Sequence, residues 1–146
     1  MNELGFNDGG GCTEKASEYP LVSIVDDDVS VRRSAQRLLC SSGLRAEAFA
    51  SAEEFLQSGL VNETACLLLD VSMPGMNGLE LQRRLAETAR QIPIIFISAR
   101  ASEDEERRAL QAGAAKFLHK PASKEVLLQA IRAALDGATN QSRRKL

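Results

Sequence analysis

Several residues capable of chemistry stand where apolar runs of this sequence stop. Val25 is followed by Asp26-Asp27-Asp28, and the run Ala65-Cys66-Leu67-Leu68-Leu69 ends in Asp70. Pro93-Ile94-Ile95-Phe96-Ile97 gives way to Ser98-Ala99, and Phe117-Leu118 to His119-Lys120-Pro121. Three carboxylates gathered within a few Å repel one another by on the order of 4 kcal/mol per pair at ~4 Å and an effective dielectric near 20. A divalent cation removes that cost. Oxygen donors point to a hard ion such as Mg²⁺, which uses one or two carboxylates, waters and a phosphate, and they disfavour zinc. An acidic cluster beside a lysine and a hydroxyl suits transfer of a phosphoryl group onto a carboxylate, a reaction that needs charge neutralisation and in-line positioning. Asp70 is then the attacking group, the Lys120 ammonium holds phosphoryl oxygens, and the Ser98 hydroxyl donates to one of them.

Such a constellation requires elements that deliver strand ends to one place. Leu21-Val22-Ser23-Ile24-Val25 reads as a first buried strand, and Val31, Ala35, Leu38 and Leu39 as the apolar stripe of a helix that Gly43 ends. Asp28 is placed to cap that helix. A second strand spans 44–49, and Ser51 with Glu54 forms a capping box for a helix that stops near Gly59. The third strand ends at Asp70; Leu81, Leu85 and Ala89 mark the next helix, and the fourth strand ends at Ser98. Ser102 and Glu105 cap a fourth helix rich in Glu103, Asp104, Glu106, Arg107 and Arg108, which therefore packs weakly and ends at Gly113. A fifth strand at 115–118 precedes a last helix with Leu127, Ile131, Ala134 and Leu135 on one face, closed by Gly137. Strands and helices in alternation predict an α/β fold, a five-stranded parallel sheet doubly wound as (βα)5, with its reactive crevice outside the carboxyl ends of the strands.

At 146 residues the chain fits one domain, with a hydrophobic fraction of 44% and a net charge of -2 that gives no bias toward nucleic acid or acidic lipid. The expected division is a flexible arm over 1–20, a domain over 21–137 and a polar tail or linker stub over 138–146, the last carrying Arg143-Arg144-Lys145. No apolar run approaches a membrane span and no secretory signal is present, so a cytoplasmic protein without membrane partners is expected. Cys12, Cys40 and Cys66 are read as reduced thiols, and His119 as an exposed loop residue.

These residues resemble the receiver domain of two-component response regulators, over the span from Leu21 to Leu135. The resemblance is carried by Val25-Asp26-Asp27, by Leu69-Asp70-Val71-Ser72-Met73-Pro74-Gly75-Met76-Asn77-Gly78, by Ser98-Ala99, and by Gly113-Ala114 with Phe117-Leu118-His119-Lys120-Pro121. It implies a flavodoxin-like strand order 2-1-3-4-5 and Asp70 as phosphoacceptor. It also implies Mg²⁺, with Mn²⁺ as a substitute, held by Asp27 and Asp70 directly, by Asp26 through water, and by the main-chain carbonyl of Ser72. The resemblance further implies that Lys120 contacts the phosphoryl group, that Ser98 moves toward it, that Phe117 occupies the aromatic switch position, and that the Lys120–Pro121 bond is cis. The implied partners are a sensor histidine kinase or histidine phosphotransfer protein, and a second copy docking through the fourth helix, fifth strand and fifth helix. Ser72 and Arg100 fill variable positions beside the phosphoryl site, and Ala122 stands where an aromatic is frequent.

Two other readings remain at this point. The chain is the receiver half of a helix-turn-helix transcription factor, binding no nucleic acid itself. Alternatively, Asp26-x-Asp28-x-Ser30 makes it similar to a haloacid-dehalogenase-like phosphatase with Asp26 as nucleophile, a reading that leaves Asp70 unexplained.

Overall fold

Strand β1, Leu21–Val25, is buried at every position, as expected of a strand covered on both faces. In a computed structural model that describes residues 19–88 and 91–144, it is an interior strand, second from one edge of the sheet. The elements that follow are α1 Val29–Ser41, β2 Arg45–Phe49, α2 Ala52–Gln57, a 3-10 turn Val61–Glu63, β3 Thr64–Leu69, α3 Gly78–Ala86, β4 Ile94–Ser98, α4 Glu103–Gln111, β5 Lys116–His119 and α5 Lys124–Arg144. All pairings are parallel and the spatial order is β2-β1-β3-β4-β5, so the expected topology is the observed one.

Period-two alternation divides the strand side chains between two cores. Leu67, Leu69, Phe96 and Phe117 face α2, α3 and α4, whereas Cys66, Leu68, Ile95 and Leu118 face α1 and α5. Register sets the geometry that matters for function. Val25 lies opposite Phe49 and Leu69, so β1, β2 and β3 terminate side by side. The ladder runs one residue further: Asp26 N donates to Phe49 O (3.2 Å) and Asp70 N to Val25 O (3.1 Å). Two acids on neighbouring strands are thus pinned by their own backbones before their side chains interact.

The helix starts follow the sequence chemistry. Asp28 Oδ1 accepts from Ser30 N and Val31 N, and Ser51 Oγ accepts from Glu54 N, but Glu54 Oε1 accepts from Ala50 N in place of the Ser51 amide, so the capping box expected there is only half formed. Both Asn77–Glu80 and Ser102–Glu105 form reciprocal capping boxes.

Some expectations need correction. Gly137 does not end the last helix, which continues to Arg144. Gly113, which does follow a helix end, has φ +105°, whereas Gly137 has no positive φ; a helical glycine costs only about 1 kcal/mol and need not break anything. Cys40 is disulfide-bonded rather than reduced, while Cys66 is a buried free thiol whose burial pushes its pKa up to about 12. His119 is exposed as expected but closes β5 rather than sitting in a loop. The arm expected over 1–20, apart from Tyr19 and Pro20, and Ala89 lie outside the described residues. No helix among the described residues is long and apolar enough to cross a membrane.

Candidate functional site

The carboxyl ends of β1, β3, β4 and β5 supply Asp26, Asp70, Ser98 and Lys120. Asp26, Asp27 and Asp70 each present a carboxylate oxygen within 4.8 Å of the others, Asp26 and Asp70 buried and Asp27 exposed. Three hard oxygen donors so close together carry a mutual repulsion that a divalent cation relieves, and the donor set suits Mg²⁺ and not a sulfur-seeking metal.

Lys120 already bridges two of these acids. Its Nζ donates to Asp26 Oδ2 at 2.9 Å and to Asp70 Oδ2 at 3.4 Å, so it grips Asp26 the more closely. Asp26 is engaged on every oxygen: Oδ1 accepts from Asp28 N (2.9 Å) and its carbonyl from Arg32 Nη1 (2.8 Å). Asp70 Oδ1 accepts from Ser72 N at 3.2 Å. Burial raises the Asp70 pKa above the ordinary carboxylate range and the Asp26 charge adds to that; the Lys120 charge and the Ser72 amide only partly offset them. Burial also pulls Lys120 down, but the hydrogen bond to Asp26 and the charges of Asp26 and Asp70 outweigh it, leaving the ammonium above its usual value. Lysine therefore stays charged, and added positive charge would relieve Asp70.

The loop from Asp70 to α3 is held from three directions. Gly78 N donates to Val71 O (3.0 Å), and the helix packs so closely that a Cβ on Gly78 would lie 2.3 Å from the Asp70 carbonyl oxygen. Asn77 caps α3, and Glu53 Oε2 on α2 accepts from Met76 N at 3.1 Å. The Lys120–Pro121 bond is cis. Lys120 N donates to Ser98 O at 2.9 Å, which ties the lysine to the end of β4.

Ser98 and Phe117 lie on the side of β4 and β5. Ser98 is fully buried, with its Oγ accepting from Arg100 N (3.3 Å). Phe117 belongs to the core facing α4, its ring stacked on Phe96 at 5.7 Å, so it stands below the pocket and not in it. Sequence reasoning missed two contacts: the guanidinium of Arg32 on the Asp26 carbonyl, and His119 Nε2 paired with Glu106 Oε1 on α4 at 3.0 Å. Neither has a spacing signal, because the first joins a strand end to a helix and the second joins elements 13 residues apart.

Comparison with known proteins finds relatives in sequence and in fold. The family model described as the response regulator receiver domain matches residues 22–132. Nodulation protein W of Bradyrhizobium diazoefficiens is 46% identical over 127 residues, 87% of this chain and 56% of that protein. Response regulator protein TodT of Pseudomonas putida is 43% identical over 131 residues, 90% of this chain and 58% of that protein. The solved structure of response regulator StyR superposes with a TM-score of 0.79 at 41% identity, covering 87% of this chain and 64% of that one. The chain spans little more than half the length of these curated relatives.

Proposed function

Since this chain belongs to the response regulator receiver family, we propose that Asp70 is its phosphoacceptor and that the donor is the phosphoimidazole of a histidine kinase or histidine phosphotransfer protein. An Asp70 carboxylate oxygen attacks phosphorus in line, the P–N bond breaks, and the departing imidazole takes a proton, leaving an acyl phosphate on the aspartate. The single observation that supports this most is the meeting of Asp26, Asp27 and Asp70 with Lys120 at one sheet edge. Asp26, with both carboxylate oxygens in 2.9 Å bonds, is poorly placed to be the nucleophile. Asp70, in longer bonds and with a raised pKa, has the oxygen more readily freed.

The Asp26, Asp27 and Asp70 carboxylates and the Ser72 carbonyl are the groups that would hold Mg²⁺, or Mn²⁺ in its place. The ion, when bound, neutralises the acids and the phosphoryl oxygens. Lys120 supplies a fixed ammonium to the transferred group, and Ser98 a hydroxyl that reaches it by moving from its buried position. Phe117 turns into the space Ser98 leaves. Driving such a two-state element from 1:99 to 99:1 takes ~5.5 kcal/mol of differential stabilisation, whereas one charge-assisted hydrogen bond supplies roughly 1.5–3 kcal/mol. Lys120 must therefore contribute alongside Ser98. The protein is a cytoplasmic signalling module that processes only its own phosphoryl group, with α4, β5 and α5 as its output and homodimer face.

Labelling with a small phosphodonor tests the assignment. Wild type gains an acid-labile label that a chelator prevents, Asp70→Asn gains none, and Lys120→Ala is labelled without changing its surface. Label retained by Asp70→Asn overturns the reading. A second reading, the receiver half of a helix-turn-helix transcription factor, is favoured by the length of the relatives, of which 56% and 58% are covered. Coding sequence continuous with this chain for a helix-turn-helix domain would establish it.

A further inference from the structure

Helix α4 is anchored unusually lightly: of its nine residues only Ala109 is buried. Among the described residues, two side-chain hydrogen bonds join its inner face to the body. At one end the buried amide of Gln82 on α3 donates from Nε2 to the Ala109 carbonyl at 2.9 Å. One turn earlier, Glu106 Oε1 meets His119 Nε2 at 3.0 Å, in a pair whose side chains are 32% and 60% exposed. The first link is shielded and the second is open to water, so they differ in how easily they part.

His119 stands where several lines of the structure cross. It pairs with Ser98 across the β4–β5 ladder and immediately precedes Lys120, whose backbone N–H is bonded to Ser98 O. Its ring lies 5.4 Å from that of Phe117. A displacement of Ser98 or Lys120 thus reaches the imidazole through the chain, and reaches α4 through Glu106.

We propose that the His119–Glu106 pair is the releasable tether that holds α4 and the Phe117 ring in the unphosphorylated arrangement, with Gln82–Ala109 as the fixed end. This rests on the phosphoacceptor reading of Asp70. A tether that favours the unphosphorylated arrangement opposes anything that binds the other one, so cutting it must raise the affinity for a phosphoryl group or its mimic. A partly exposed pair gives a small factor, about two- to fivefold.

The test uses the Mg²⁺-loaded full chain titrated with beryllofluoride, a phosphoryl mimic, in wild type, Glu106→Ala, His119→Phe and the double variant. Each single variant should bind about two- to fivefold more tightly, and the double variant no more tightly than the singles, since both cut one link. Leu110→Ala, on the exposed side of the same helix, is the control and should bind as wild type does. His119 is the chain's one histidine, so its imidazole proton resonance is unambiguous; it should move on beryllofluoride binding in wild type and move less in Glu106→Ala. Unfolding cannot imitate the result, because it lowers affinity. Unchanged or weaker binding in the single variants, or additive gains in the double, overturns the tether while leaving the phosphoacceptor reading intact. Failure of wild type to bind the mimic at all overturns both.

Discussion

Helices α3 and α4 flank the same pocket, have nine residues each, and open with complete capping boxes, yet they are held very differently. Helix α3 buries Gly78, Leu79, Leu81, Gln82 and Leu85, and α4 buries Ala109 alone. The cause is in the sequence: leucines recur on one face of α3, whereas α4 opens with Glu103-Asp104-Glu105-Glu106-Arg107-Arg108. Equal local signals therefore produce elements of unequal stability, because tertiary burial and not capping supplies most of a helix's anchoring. The Asp70 loop is attached to the firm helix and the Ser98 loop to the loose one. A site that must hold still at one edge and respond at the other is built by that contrast.

The widest separation between the two helices should appear on truncating one leucine in each. Leu81→Ala removes a fully buried side chain and should cost about 2–5 kcal/mol in urea unfolding. Leu110→Ala removes one that is 45% exposed and should stay within about 0.5 kcal/mol. Similar losses in the two variants would mean that α4 is anchored as firmly as α3.

Gly78→Ala attacks the firm side at its tightest point. The new Cβ would meet the Asp70 carbonyl oxygen at 2.3 Å and the Val71 Cα at 3.0 Å, all backbone, so the helix start or the Asp70 loop must shift. A cost of about 1–3 kcal/mol is expected, together with weaker Mg²⁺ binding, because the same shift misplaces Asp70. Calorimetric titration with Mg²⁺ separates these effects. Undiminished metal affinity would show that the loop is not braced by α3.

The sequence foretold the sheet and the caps at Asp28, Ser51 and Ser102 because period-two and period-3.6 patterns and capping residues are local signals, but the Asn77–Glu80 box, equally local, was not read from it. It foretold the meeting of Asp26, Asp27, Asp70 and Lys120 because a parallel doubly wound sheet brings all strand ends to one edge. The course of α5 past Gly137 was not legible, since a helical glycine and a terminating glycine differ only in φ. Nor was the preference of Lys120 for Asp26 over Asp70, which depends on differences of 0.5 Å set by side-chain packing (2.9 against 3.4 Å). The His119–Glu106 pair was invisible for a related reason: it crosses from β5 to α4, and nothing in either segment names the other.

The two caps give a finer comparison. Asn77→Ala and Ser102→Ala each remove a side-chain acceptor from a capping box, at about 1 kcal/mol for the helix concerned. Only the first should lower global stability by that amount. The second should appear as faster amide exchange confined to α4, because that helix opens on its own before the sheet does. Equal shifts in the unfolding midpoint would erase the distinction.

The smallest effect concerns charge stored on the firm side. Burial and the Asp26 charge raise the Asp70 pKa, so the folded chain holds a proton that the unfolded chain has already released. Stability must then fall as pH rises from the ordinary aspartate range through the raised value. Lys120 also loses stability with rising pH, but far higher on the scale: its raised pKa contributes stability that is complete below the ordinary lysine value and lost as pH rises through the higher folded one, so at neutral pH it stabilises where the buried Asp70 charge destabilises. At neutral pH, without metal, Asp70→Asn removes the first effect and leaves most of the second, because Asp26 retains the closer bond to Lys120. The variant should therefore be slightly more stable than wild type near pH 7, and the gap should close as pH falls below the carboxylate range. Saturating Mg²⁺ should reverse the order by stabilising wild type through mass action. A metal-free Asp70→Asn chain less stable than wild type at pH 7 would show that the Asp70 loop relaxes around its charge, and so is not the rigid partner of α4.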